Sequence, residues 1–97
     1  METHKPKPLQ PVYSGQFNRD LKLAKKRGKE IEKLKFLMNL IIDKKTLPSE
    51  YKDHPLSSNW RGFRDAHIEP DWLLIYKIEG NDVRFERTGK HTDIFER

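Results

Sequence analysis

Trp72-Leu-Leu-Ile-Tyr-Lys-Ile78, the turn Gly80-Asn81-Asp82 and Val83-Arg-Phe-Glu-Arg-Thr88 together decide the fold of this chain. The first run is apolar and rich in β-formers, too rich for an exposed strand, and the second alternates, so the pair reads as a β-hairpin. Alternation puts Val83, Phe85 and Arg87 on one face and Arg84, Glu86 and Thr88 on the other. Arg87 is then a charge at the rim of an apolar surface, and it needs an anionic partner. A carboxylate of the protein or a phosphate of a substrate would each serve, because the guanidinium fork matches both. Gly89 lets the chain turn before His91, so Arg87 and His91 address one small volume. Upstream, Trp60-Arg-Gly-Phe-Arg-Asp-Ala-His67 reads as a weaker strand, with Arg61, Phe63, Asp65 and His67 on one face. Glu69-Pro70 is its turn, and Asp71 lies just beyond.

Towards the N-terminus the periodicity becomes helical. Ser14 is placed to cap a helix carrying Phe17, Leu21 and Ala24 at helical spacing and ending at Arg27-Gly28. A second helix follows, with Ile31, Leu34, Met38, Ile41 and Ile42 as its apolar stripe. Pro48 is expected to close the helical region, and Thr46 to Asn59 is a polar connection. The pattern predicts an α+β domain, two N-terminal helices packed on a small, mainly antiparallel sheet. Residues 12–97 form the expected single domain. Residues 1–11, rich in Pro and Lys and including His4, read as an extended or flexible leader.

Composition bounds the function. The 97 residues include 20 Lys and Arg against 15 Asp and Glu, a net charge of +5, which suits a polyanionic partner. The surplus is local: residues 16–45 hold ten basic against four acidic side chains, and residues 46–97 hold eight against ten. A solvated helix face would explain the same lysines. The absence of cysteine excludes disulfides and thiolate-bound zinc. No signal-peptide core or apolar run of membrane-spanning length is present, so a soluble cytoplasmic protein is expected, without membrane contact. His54, His67 and His91 suggest proton transfer near neutral pH. With Asp65 and Asp71 they could also bind a metal, although no HxH or HExxH spacing supports one; no metal or cofactor is expected.

A more specific pattern joins these residues. Tyr13-Ser-Gly-Gln-Phe17, Tyr51-Lys-Asp-His-Pro-Leu56, Trp60-Arg-Gly-Phe-Arg-Asp-Ala-His67, Pro70-Asp-Trp-Leu-Leu-Ile-Tyr76 and Arg84-Phe-Glu-Arg-Thr-Gly-Lys-His91 run in the order and spacing of the YafQ-type toxins of the RelE/ParE superfamily, which the chain resembles from about Tyr13 to Phe95. The resemblance implies a type II toxin: a ribosome-dependent endoribonuclease that cuts messenger RNA in the A site. It carries the family's positions onto His54, Asp65, His67, Asp71, Trp72, Arg87, His91 and Phe95. His91 becomes the expected general acid, and His54 or His67 the base, with Asp65 or Asp71 orienting it or substituting for it. Arg87 would hold the scissile phosphate, and Trp72 or Phe95 could stack on a base, although Trp72 heads a buried strand and would serve equally as a core residue. The implied partners are the 70S ribosome with its message and a cognate DinJ-like antitoxin with an acidic or flexible segment, operator DNA being reached only through the antitoxin. Lys22, Lys25, Lys26, Arg27, Lys29, Lys33 and Lys35 become candidates for ribosomal RNA contact. A ParE-like gyrase inhibitor or a non-catalytic nucleic-acid-binding module are the rival readings.

Overall fold

The Ser14 side chain does two jobs in the computed structural model, which describes residues 7–95. Its Oγ accepts from the Phe17 backbone N–H at 2.8 Å, capping helix α1 (Gly15–Lys26). The same hydroxyl donates to the Glu86 carbonyl at 2.7 Å, so the cap also fastens the helix to the sheet. Gly28, at φ +79, makes the left-handed exit that ends this helix. Helix α2 (Ile31–Ile42) then returns, and its Leu34, Leu37 and Ile41 join Phe17 and Ala24 of α1 in the core.

The described residues form five strands, β1 (Gln10–Tyr13), β2 (His54–Pro55), β3 (Arg64–Glu69), β4 (Trp72–Glu79) and β5 (Asp82–Gly89), before a short helix α3 (His91–Phe95). Their order in the sheet is β1-β5-β4-β3-β2, with only the β1–β5 pair parallel. The expected α+β class with a mainly antiparallel sheet is the observed one.

Three local readings change. The domain begins earlier than Val12: Leu9 is buried at 4% exposure and donates its N–H to the Ile42 carbonyl at 2.8 Å, and Gln10 and Pro11 pair with Asp82 and Val83. Gln-Pro-Val-Tyr lacks an alternating signature, and an edge strand tolerates the proline. Of the expected leader, residues 1–6, including His4, lie outside the described residues. Second, α2 stops at Ile42, where Lys44 adopts φ 60, and Pro48 instead opens a 3-10 turn over Ser49–Tyr51.

The third change decides the site. Across β4 and β5, Ile75 lies opposite Arg87 but Tyr76 lies opposite Phe85, so Glu86 is an extra residue in the ladder. Such a bulge shifts the side-chain alternation by one. Val83, Phe85 and Thr88 therefore share the helix-covered face, and Arg87 is on the opposite one with Arg84. The helix-covered face holds the main core, with Trp72, Leu74, Tyr76, Val83 and Phe85 against α1 and α2. The other face carries a smaller cluster of Leu73, Ile75 and Ile94 with Leu56, Trp60, Phe63 and Phe95.

Candidate active site

Directly paired residues of antiparallel strands point their side chains the same way. His54 pairs with Asp65, Asp65 with Ile75 and Ile75 with Arg87, so one row crosses four strands from a histidine to an arginine. In the next row His67 pairs with Leu73 and Leu73 with Gly89, two residues before His91. The face turned away from α1 and α2 thus gathers residues from four separate segments. Gly89 is needed for close packing, because a Cβ there would meet Asp93 Oδ2 at 2.9 Å.

The three imidazoles form a file. The His54 and His67 ring centres are 6.2 Å apart and those of His67 and His91 are 5.7 Å apart, each pair edge to face. Asp65 lies beneath the first two, its Oδ2 3.7 Å from His54 Nε2 and 3.8 Å from His67 Nε2. Only 4% of Asp65 is exposed and its Oδ1 has no hydrogen-bond partner. Burial pushes its carboxyl above the ordinary range, while the three histidines pull it back.

Two contacts settle tautomers. His54 Nδ1 is 2.8 Å from the Lys52 carbonyl, which can only accept, so Nδ1 carries a proton and Nε2 is the basic position of the neutral ring. His91 Nδ1 is 2.7 Å from Asp71 Oδ1, which also takes the His91 backbone N–H at 2.9 Å. Those backbone and ring hydrogen bonds hold the Asp71 carboxyl below its ordinary range. His91 thereby leaves Nε2 for exchange. All three rings reach solvent, His54 and His91 more than His67.

Arg87 has a carboxylate partner. Its Nε donates to Asp20 Oδ2 at 2.7 Å and its Nη2 to Asp20 Oδ1 at 3.2 Å, with the Asp93 carbonyl a further acceptor at 3.3 Å. Of the two readings of Trp72, stacking ring or core residue, the structure has the core one: it is 1% exposed, and its Nε1 donates to Thr88 Oγ1 at 3.0 Å. Phe95 is on the open face, partly exposed, with its ring edge-on to Trp60 at 5.9 Å.

The basic residues divide. Arg27 pairs with Asp93 at 2.8 Å, Lys29 and Lys33 share Glu69 at 3.0 and 3.1 Å, and Lys35 lies 3.7 Å from Glu32. Lys22, Lys25 and Lys26 are exposed and make no ion pair among the described residues. They are therefore the lysines of α1 with undivided charge.

Two supports escaped the sequence reading. Asp53, beside His54, is gripped by Arg64 at 2.9 Å and by the Tyr76 hydroxyl at 2.6 Å, which anchors the loop that presents His54. Asp20 is the other, and its signal was present: it falls between Phe17 and Ala24, a charge on the apolar stripe of α1. Among the described residues no cluster of three or more His, Asp or Glu side chains is arranged to hold a metal, and no helix is long and apolar enough to cross a membrane.

A small two-layer domain with an open face of histidine, aspartate and arginine is of the class suited to acid-base chemistry on a large substrate. The family model for the bacterial toxin of type II toxin-antitoxin systems, YafQ, matches residues 9–96. An mRNA interferase toxin YafQ of Escherichia coli strain B / BL21-DE3 is 60% identical over 84 residues, which cover 86% of this chain and 91% of that one. The crystal structure of YafQ from E. coli BL21(DE3) superposes with a TM-score of 0.87 at 56% identity, covering 90% of this chain and 98% of the other. YafQ in the crystal structure of the E. coli DinJ-YafQ complex superposes with a TM-score of 0.84 at 57% identity and the same coverage. The chain belongs to the YafQ family of bacterial type II toxins.

Proposed function

We propose that this toxin is an endoribonuclease that cuts messenger RNA in the ribosomal A site by general acid-base chemistry. The observation that carries the reading is the file of three histidines, the first two over Asp65 and the third on Asp71, with Arg87 in the row of His54 and Asp65. The relatives named mRNA interferase toxins support the substrate.

RNA brings its own nucleophile. His54 Nε2 takes the proton of the 2′-hydroxyl, and the 2′-oxygen attacks the adjacent phosphorus. Asp65 faces the imidazolium that results. Arg87 meets the charge that develops on the phosphate oxygens. As the bond from phosphorus to the 5′-oxygen breaks, His91 Nε2 delivers a proton to that oxygen, with Asp71 holding the ring. The products are a 2′,3′-cyclic phosphate and a 5′-hydroxyl. His67, between the other two rings, is the second candidate for the base. Each acid or base contributes roughly 10²–10⁴ in rate. Phe95 is the exposed ring available to a splayed base.

The ribosome supplies what an open face lacks, a fixed path for the message. Lys22, Lys25 and Lys26 offer its RNA a salt-sensitive contact. A cognate antitoxin, DinJ-like as in the E. coli complex, would silence the toxin by binding it. A ParE-like gyrase inhibitor or a plain nucleic-acid-binding module has no need of the histidine file. The deciding experiment is to supply the toxin with ribosomes translating a defined message and to map the new ends. Cuts inside the A-site codon, ending in 2′,3′-cyclic phosphate, are expected. An uncut message would overturn the nuclease reading, and equal cutting of free RNA would overturn the ribosome dependence.

A further inference from the structure

We propose that Asp20 is a positioning residue that aims Arg87 at the substrate phosphate; the proposal rests on the phosphate-holding role given to Arg87 above. Asp20 is 6% exposed, and both of its oxygens are engaged. Oδ2 accepts from Arg87 Nε at 2.7 Å and from the Thr88 backbone N–H at 3.0 Å, while Oδ1 accepts from Arg87 Nη2 at 3.2 Å and Gln16 Nε2 at 3.0 Å. One carboxylate therefore holds the side chain of Arg87 and the backbone of the next residue together.

The fold explains why a clamp is needed here. Strand β1 accompanies β5 only as far as Phe85, and the bulge at Glu86 follows at once. From Glu86 to Gly89 the outer edge of β5 has no neighbouring strand, and the Thr88 N–H on that edge is satisfied by Asp20 instead. Arg87 thus stands on an irregular part of the sheet, beside a bulge and without a neighbouring strand on its outer edge, and its guanidinium ends a long and flexible side chain. Binding Nε and Nη2 fixes one edge of the guanidinium plane, and the Asp93 carbonyl adds a third point at 3.3 Å. Nη1 bonds to no described residue and remains for a phosphate oxygen. A cation already oriented for the developing charge avoids reorganisation during the reaction, and a misplacement of about 1 Å costs on the order of 10²-fold in rate.

A salt bridge that merely stabilised the fold would change the folded fraction and leave the cleavage rate per folded molecule unaltered. The discriminating experiment is a double-mutant cycle of Asp20→Asn, Arg87→Ala and the double variant. Single-turnover cleavage on translating ribosomes is followed at saturating and limiting toxin, and the folded fraction of each variant by circular dichroism. Asp20→Asn is expected to lower the cleavage rate at saturating toxin by about tenfold or more with the half-saturating toxin concentration within about threefold, and to add less than about twofold in the Arg87→Ala background. Equal losses in both backgrounds, or a loss matched by the folded fraction, would overturn the role of Asp20 while leaving that of Arg87 intact. Arg87→Ala at wild-type activity would remove the phosphate role itself, and this proposal with it. Should Asp20→Asn fail to fold, the unaltered protein still tests the idea through NMR of the Arg87 Nε–H. An order parameter near the backbone value of about 0.85 is expected, and one below about 0.6 would overturn the clamp.

Discussion

The two faces of the sheet are made from the same strands and obey different rules. On the helix-covered face Trp72, Leu74, Val83 and Phe85 are all but fully buried, and the buried Thr88 hydroxyl both accepts from Trp72 and donates to the Leu73 carbonyl. On the open face a smaller apolar cluster sits beside an unsatisfied carboxylate oxygen, three solvent-reaching histidines and a clamped arginine. Stability is concentrated on one side and reactive groups on the other. A strand alternates its side chains, so a single β3–β4–β5 sheet serves both purposes without compromise at any one position.

That division can be broken from either side. The largest effect should come from the open face: His91→Gln, with the fold intact, is expected to slow cleavage on ribosomes by about 10²–10⁴-fold while leaving the melting temperature nearly unchanged. A loss under about tenfold would take His91 out of the acid role. From the covered face, Leu37→Ala removes a fully buried side chain and should cost about 2–5 kcal/mol in chemical denaturation, with cleavage per folded molecule unaltered. A fall in specific activity would show that the two faces are coupled.

The smallest effect sharpens the comparison at its boundary. Burial raises the Asp65 carboxyl above its ordinary value, so the folded protein keeps that proton to higher pH than the unfolded chain does. Stability from this proton is fully present below the unfolded value and is lost as pH rises through the folded one. Asp65→Asn cannot ionise and should be more stable than the wild type at neutral pH, an advantage that shrinks as pH falls into and below the ordinary carboxylate range. Cleavage should decline, because His54 and His67 lose the charge beneath them. Thermal melts from acid to neutral pH test the sign, and a variant less stable at neutral pH would mean that the carboxylate is favourably paired.

Much of this was legible in one dimension. Phe17 and Ala24, Leu34 and Ile41, and the alternation of Val83 and Phe85 carry the periods of helix and strand, and those elements stand where the periods put them. The histidines, Asp65 and Asp71 were legible as a set only through the order of the family's motifs. Arg87 was found, but on the wrong face, because a bulge is invisible to an alternation that continues through Glu86. Trp72 is a further lesson: aromatic character alone does not distinguish a stacking ring from a core one, and burial does.

By itself the sequence determined what neighbours along the chain can encode: two amphipathic helices, the hairpin, the caps and turns, and the family to which the motifs belong. Local geometry repeats every two or 3.6 residues, and a short window carries it. Tertiary structure alone decided the parallel edge strand at Gln10, the flip of Arg87 and its clamp by Asp20, 67 positions away. Those features depend on which surfaces meet once the core has closed, and no spacing along the chain records that.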